Sequence, residues 1–154
     1  MESSLLFAVP LSILPLIYGG IAFLVATRTN APAKLTFARM VIAALPSLLM
    51  LGLFYSLVVR IYWELGTWPP STIAWMKPNG LSPSMIGHAN FVDGCFENWI
   101  IFSLIGWPVI FVLVLLIRRL RPLVGYLGVY SFSFVACLIV TQLAPTKFLD
   151  WWWD

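Results

Sequence analysis

The residues best able to do chemistry lie close together: His88, Asp93, Cys95 and Glu97 fall within one ten-residue run. His88 is the only histidine of the chain. A zinc site needs three or four such ligands in tetrahedral array, and general acid–base catalysis needs an imidazole or carboxylate within hydrogen-bond reach of its substrate. If the run is helical, Asp93 and Glu97 share a face at i, i+4. His88 joins them only if the chain turns at Asn90 or Gly94. The plainer reading is a solvated segment whose acids hold one end of the protein outside a membrane. No catalytic residue and no metal site are therefore expected, with His88, Asp93 and Glu97 as the ligand candidates should one exist.

Other chemical motifs are missing from the sequence. Cys95 and Cys137 have no Cys-x-x-Cys spacing, and both are expected to remain free thiols. There is no Gly-x-Ser-x-Gly nucleophile elbow. A single histidine cannot supply the axial pair that membrane haem proteins place in their helices. No cofactor is expected, apart from bound lipids.

The elements that carry these residues are set by composition. Of 154 residues, 61% are apolar and 10% charged, against ~45–50% and ~25% in soluble domains. Too few polar residues remain to cover a soluble fold of this size. The net charge of +3 is read as a topology signal and not as a nucleic-acid surface. The expected fold is an all-α integral membrane protein, one domain over 1–154, with the lipid bilayer as its first partner and no nucleic acid.

Spanning a hydrocarbon core of ~30 Å takes about 20 apolar residues, and residues 5–26, 40–59, 98–117 and 123–143 each supply such a stretch. Arg28, Lys34 and Arg39 lie between the first two stretches, and Arg118, Arg119 and Arg121 between the last two, with no acid in either link. All six acids fall on the opposite side. The positive-inside rule then puts both short links in the cytoplasm and both termini on the outer, periplasmic side. Arg39 and Arg60 bracket the second span about 30 Å apart at 1.5 Å per residue. No Asp, Glu, Lys or His lies inside a span, which argues against a proton-coupled exporter.

Residues 63–97 form the long outer loop on this reading, punctuated by four prolines and four glycines. Trp63, Trp68 and Trp75 are expected at headgroup depth, where indole rings settle. The tail Trp151, Trp152 and Trp153 is expected to anchor at the same interface or to dock on a partner, tryptophan being enriched in binding hot spots. Together with His88 these tryptophans make the expected contact surface. Prolines 10, 15, 46 and 108 are expected to kink their helices. Gly125, Gly128 and Ser131 form a small-residue face on span four, against which either another span or another subunit would pack. Arg60 and Glu64 are expected to pair at i, i+4.

Leu65-Gly66-Thr67-Trp68-Pro69, the later His88 and the tail Phe148-Leu149-Asp150-Trp151-Trp152-Trp153-Asp154 resemble elements of a group of small, uncharacterised four-span bacterial inner-membrane proteins. The resemblance implies a topology and a bacterial envelope location, but no activity. The expected function is a non-enzymatic accessory or structural subunit of a larger inner-membrane complex, reached through the outer face and span four. A small carrier or channel for an uncharged or lipid-like molecule is the alternative, and a membrane enzyme using His88 with Asp93 or Glu97 a further one. The mitochondrial inner membrane is the alternative location.

Overall fold

The computed structural model describes residues 2–28, 36–68 and 81–153, with side chains from residue 11 onward. Most of the described residues are helical, and none of them is in a strand. Helix α1 spans Glu2–Arg28, α2 Phe37–Leu65, α3 Pro83–Ile101, α4 Trp107–Leu116, α5 Val124–Thr141 and α6 Thr146–Trp153. A π-helical turn, Phe102–Gly106, joins α3 to α4, and a 3₁₀ turn, Arg118–Leu123, joins α4 to α5. Four helices are long and apolar enough to cross a membrane: α1, α2, the composite Pro83–Leu116, and Arg118–Thr141.

The third of these differs most from the sequence expectation. Residues 98–117 are only the second half of a 34-residue helix that starts at Pro83. His88, Asp93 and Glu97 therefore lie within a membrane-length helix, and the expectation that no span contains Asp, Glu or His does not hold. The start is dictated locally: Ser82 is the N-cap, its hydroxyl accepting the Met85 N–H at 3.2 Å, and Pro83 follows at the first helical position. Proline there loses no hydrogen bond and has the helical φ built in. At the other end of the segment, α2 runs on to Leu65 and stops at Gly66. Gly66 takes φ 65°, a left-handed cap that glycine alone adopts without strain, and its N–H bonds the Tyr62 carbonyl at 2.9 Å. Much of the expected outer loop 63–97 is therefore helix.

The π turn has an identifiable cause. Pro108 has no N–H to offer the Leu104 carbonyl four residues back, and its ring would clash there. The chain widens by one residue, so that the Trp107 N–H reaches the Phe102 carbonyl instead. Gly106 lets the Phe102 ring lie close in this turn, since a Cβ there would sit 2.8 Å from the ring and Phe102 would have to shift.

Helix α5 packs against both α1 and α2. On the α1 side the contact is made by small residues. A Cβ on Gly19 would sit 3.1 Å from the Ser131 Cβ, and one on Gly128 would meet the Ala22 Cβ at 3.7 Å. The face containing Gly128 and Ser131 is thus used within the chain, by α1. On the α2 side the contact is polar: Ser133 Oγ donates to Ser47 Oγ (3.1 Å), Cys137 Sγ to the Ser47 carbonyl (3.4 Å) and Tyr55 Oη to the Val140 carbonyl (2.8 Å). Cys95 and Cys137 are both free thiols.

The contacts pair α1 with α5 antiparallel and α2 with α5 parallel. One end of the bundle therefore gathers the end of α2, the start of α3 and α6, and with them Glu64 and Asp150, whereas Asp93 and Glu97 lie ~15 and ~21 Å along α3 from its start. Arg28, Arg39, Arg118, Arg119 and Arg121 are exposed at the other end, while Lys34 lies outside the described residues. Around the bundle, large apolar side chains are exposed, among them Ile17, Phe23, Leu49, Ile105 and Leu116.

The α1–α5 contact should tolerate no added volume. Overpacking costs about 1–3 kcal/mol, so Gly19→Val should lower the thermal unfolding midpoint of the detergent-solubilised protein. Gly20→Val should not, because a Cβ on Gly20 meets nothing within 4 Å. Equal losses in the two variants would show that α1 is not held by its small-residue face.

Candidate functional site

The run His88 to Glu97 does not converge. Helix α3 passes through Asn90 and Gly94 without a turn, and at about 100° per residue His88 and Cys95 share one face while Asp93 and Glu97 point ~140–180° away. Among the described residues, no group of three or more His, Cys, Asp and Glu side chains is placed to hold a metal ion. Helical continuity is what separates the candidate ligands.

His88 faces α2. Its Nε2 lies 3.4 Å from Ser56 Oγ, and its Nδ1 is buried with no hydrogen-bond partner. Ser56 donates its own proton to the Leu53 carbonyl at 2.7 Å. A serine nucleophile would need that proton directed at the imidazole, and the imidazole held from behind by an acid. Neither condition is met in this geometry.

Two charged residues on α2 also reach across to α3. Arg60 Nη2 donates to Ser84 Oγ at 2.8 Å, and Glu64 Oε1 accepts the Ser82 N–H at 2.9 Å. Arg60 and Glu64, expected as an i, i+4 pair along α2, do interact through their charges, and both also brace the first turn of α3. The Glu64 carboxylate sits at a helix N-terminus, where negative charge is favoured. The sequence signal for this arrangement is Ser82-Pro83, an N-cap followed by proline at the first helical position.

Between these contacts and the middle of α2 lies an open groove of ≈ 780 Å³ lined by Gly52, Tyr55, Ser56, Val59, Arg60, Trp63 and Glu64. Its polar groups stand at the acidic end, and Gly52 and Val59 continue it along the apolar part of α2. Trp63 is 85% exposed at its rim.

The expected tryptophan surface divides. Trp68 is half-buried, its ring 4.8 Å from Tyr62. Trp75 lies outside the described residues. Trp151 and Trp152 are 2% and 6% exposed, and Trp153 is half-buried, 6.1 Å from Phe96. The tail is not an exposed anchor. It forms α6, whose Phe148, Trp151 and Trp152 share a face at i, i+3, i+4 and turn inward. Phe54 of α2 receives Phe148 and Trp152 edge-on at 5.4 and 5.6 Å. The physical reason is that the i, i+3, i+4 spacing gives α6 one aromatic face, which buries its area against Phe54 and Phe96.

Comparison with protein-family models, with curated proteins and with solved structures finds no match to this chain.

Burial separates the tryptophans energetically. Trp152→Ala should cost about 3–5 kcal/mol, the range for truncating a core aromatic, and loosen α6 enough to expose it to limited proteolysis. Trp63→Ala should leave unfolding by denaturant unchanged. If both variants unfold like the parent, α6 is not part of the core.

Proposed function

We propose that this protein is a multi-pass protein of the bacterial inner membrane, with both termini on the periplasmic side. In that membrane it serves as a non-enzymatic accessory or structural subunit of a larger complex. The insertion rests on the exposed apolar residues around four membrane-length helices; contiguous apolar surface of that extent is foreign to soluble monomers. The orientation rests on Arg28, Arg39, Arg118, Arg119 and Arg121, which border or lie in the two short links at one end of the bundle and carry no acid among them. The location follows the resemblance carried by the Leu65–Pro69 element and the aromatic tail.

The observation that carries the subunit reading is the plug made by α6. Phe148 and Trp152 fill the acidic end of the bundle between α2 and α3, so aromatic packing occupies the space through which a carrier would pass its cargo. The exposed Trp63 then marks the surface offered to other membrane subunits. The tail, assigned to that surface from sequence, supports it from beneath.

Two measurements test this. In a Cys95→Ser/Cys137→Ser background, Thr67→Cys should react with an impermeant thiol reagent in intact cells and Thr36→Cys should not. The reverse pattern would invert the topology. Gentle solubilisation followed by native mass spectrometry should return a stoichiometric complex, and Trp63→Ser should reduce the retained partner at least about tenfold, as loss of a hot-spot tryptophan does. A lone monomer from native membranes would overturn the subunit reading.

A further inference from the structure

The groove on α2 combines three properties that seldom coincide on a transmembrane helix. It carries one cationic and one anionic side chain a single turn apart. Both charged heads are pinned from outside by the same neighbouring turn. Below them the helix carries Ser56, whose proton goes to the Leu53 carbonyl, beside the apolar Val59 and, at Gly52, is bare.

Arg60 and Glu64 are i, i+4 neighbours, with Cβ atoms about 5–6 Å apart. Each uses only part of its bonding capacity on α3. The guanidinium has five N–H donors in a planar fork, and the structure shows Nη2 on Ser84 Oγ. The carboxylate has two oxygens, and Oε1 takes the Ser82 N–H. These bonds hold the two side chains in place, so a ligand binding both need not immobilise them. Gly52 lies eight residues before Arg60, ~12 Å down the helix axis, and a Cβ there would meet nothing within 4 Å. Tyr55, Ser56 and Val59 line the path between.

We propose that this groove is a binding site for one phosphatidylethanolamine molecule, with its phosphate on Arg60, its primary ammonium on Glu64 and an acyl chain laid over Val59 and Gly52. Charge complementarity selects this occupant. A phosphate and an ammonium joined by two carbons match a guanidinium and a carboxylate one helical turn apart. Phosphatidylglycerol offers the phosphate but nothing cationic to Glu64. Phosphatidylcholine offers a cation, but its quaternary nitrogen has no N–H to donate to a carboxylate. Trp63 at the rim supplies the indole that settles at headgroup depth. Arg60 stands at that depth if Arg39 does on the opposite side, the two being ~30 Å apart along α2. The site rests on the membrane insertion proposed above, but not on the subunit role.

The test is lipid exchange on the full-length protein in bilayer nanodiscs of defined composition, followed by native mass spectrometry of the lipid retained on release. From an equimolar mixture of phosphatidylethanolamine, phosphatidylglycerol and phosphatidylcholine, one phosphatidylethanolamine should be retained about tenfold over either competitor, the factor one charge-assisted hydrogen bond is worth. Glu64→Gln keeps an oxygen acceptor for the Ser82 N–H, so α3 stays capped; it should abolish the preference while leaving phosphatidylglycerol bound. Arg60→Gln should release all three lipids, and Gly52→Leu should do so with both headgroup contacts intact. Soluble phosphoethanolamine at millimolar concentration should not displace the lipid. Equal retention of the three lipids, an unchanged preference in Glu64→Gln, or displacement by phosphoethanolamine would each overturn the assignment. Failure of the protein to enter nanodiscs at all would instead overturn the membrane reading on which the site rests.

Discussion

The acidic end of this bundle is organised around one side chain, Phe54. It is fully buried at the place where α2, α3 and α6 meet, with Phe96, Phe148 and Trp152 around it at ring separations of 5.4–6.1 Å. Edge-to-face contact of this kind sets direction as well as distance. Phe148 and Trp152 meet Phe54 nearly perpendicular and stack on each other at 16°, which leaves α6 little freedom in how it lies. By fixing α6, the cluster closes the bundle; by holding Phe96, it fixes the rotation of α3. The Arg60 and Glu64 contacts with the start of α3 depend on that rotation.

The rest of the bundle is held by a different means. In the bilayer setting proposed for this protein, lipid tails are as apolar as leucine, so burying leucine between helices gains little. Close approach and hydrogen bonding do more there. Gly19 and Ala22 against Gly128 and Ser131 supply the first, and the Ser47–Ser133, Cys137–Ser47 and Tyr55–Val140 bonds the second. The buried Ser103 hydroxyl makes both a bond to the Trp99 carbonyl at 2.7 Å and one with Tyr130 Oη at 2.6 Å. That pair ties the π turn to α5 between the two halves of the core.

Helical class and the number of membrane-length helices were legible in the sequence because both depend on composition over windows of about 20 residues. The end of α2 and the start of α3 were misplaced for a local reason. Proline and glycine between Trp63 and Glu97 read as loop punctuation, yet Pro83 begins a helix and Gly87 and Gly94 lie within it. Ser82 directly before Pro83 was the available sign. The tail was misjudged for a tertiary reason: three consecutive tryptophans look like an interface anchor until Phe54 and Phe96 are known to form a socket for them. The candidate site suffered from the same limit. Arg60 and Glu64 were visible as a pair, but their shared partner lies 18–24 residues away in sequence, and only the α2–α3 packing brings it to them.

The π turn leaves a trace in the spacing of buried residues. Trp99, Ser103, Trp107 and Phe111 follow one another in three successive steps of four. On an uninterrupted α-helix such a run would drift by about 120° around the axis, and Phe111 would leave the core. Phe102–Gly106 absorbs part of that drift with one surplus residue. The helix from Pro83 to Leu116 is in effect two helices of different phase spliced end to end: the first is registered to Phe54 and α6, the second to Ala22 and Val124. Removing the surplus residue would leave each half intact but rotate one against the other, so the splice works as a phase adjuster between two separately packed cores.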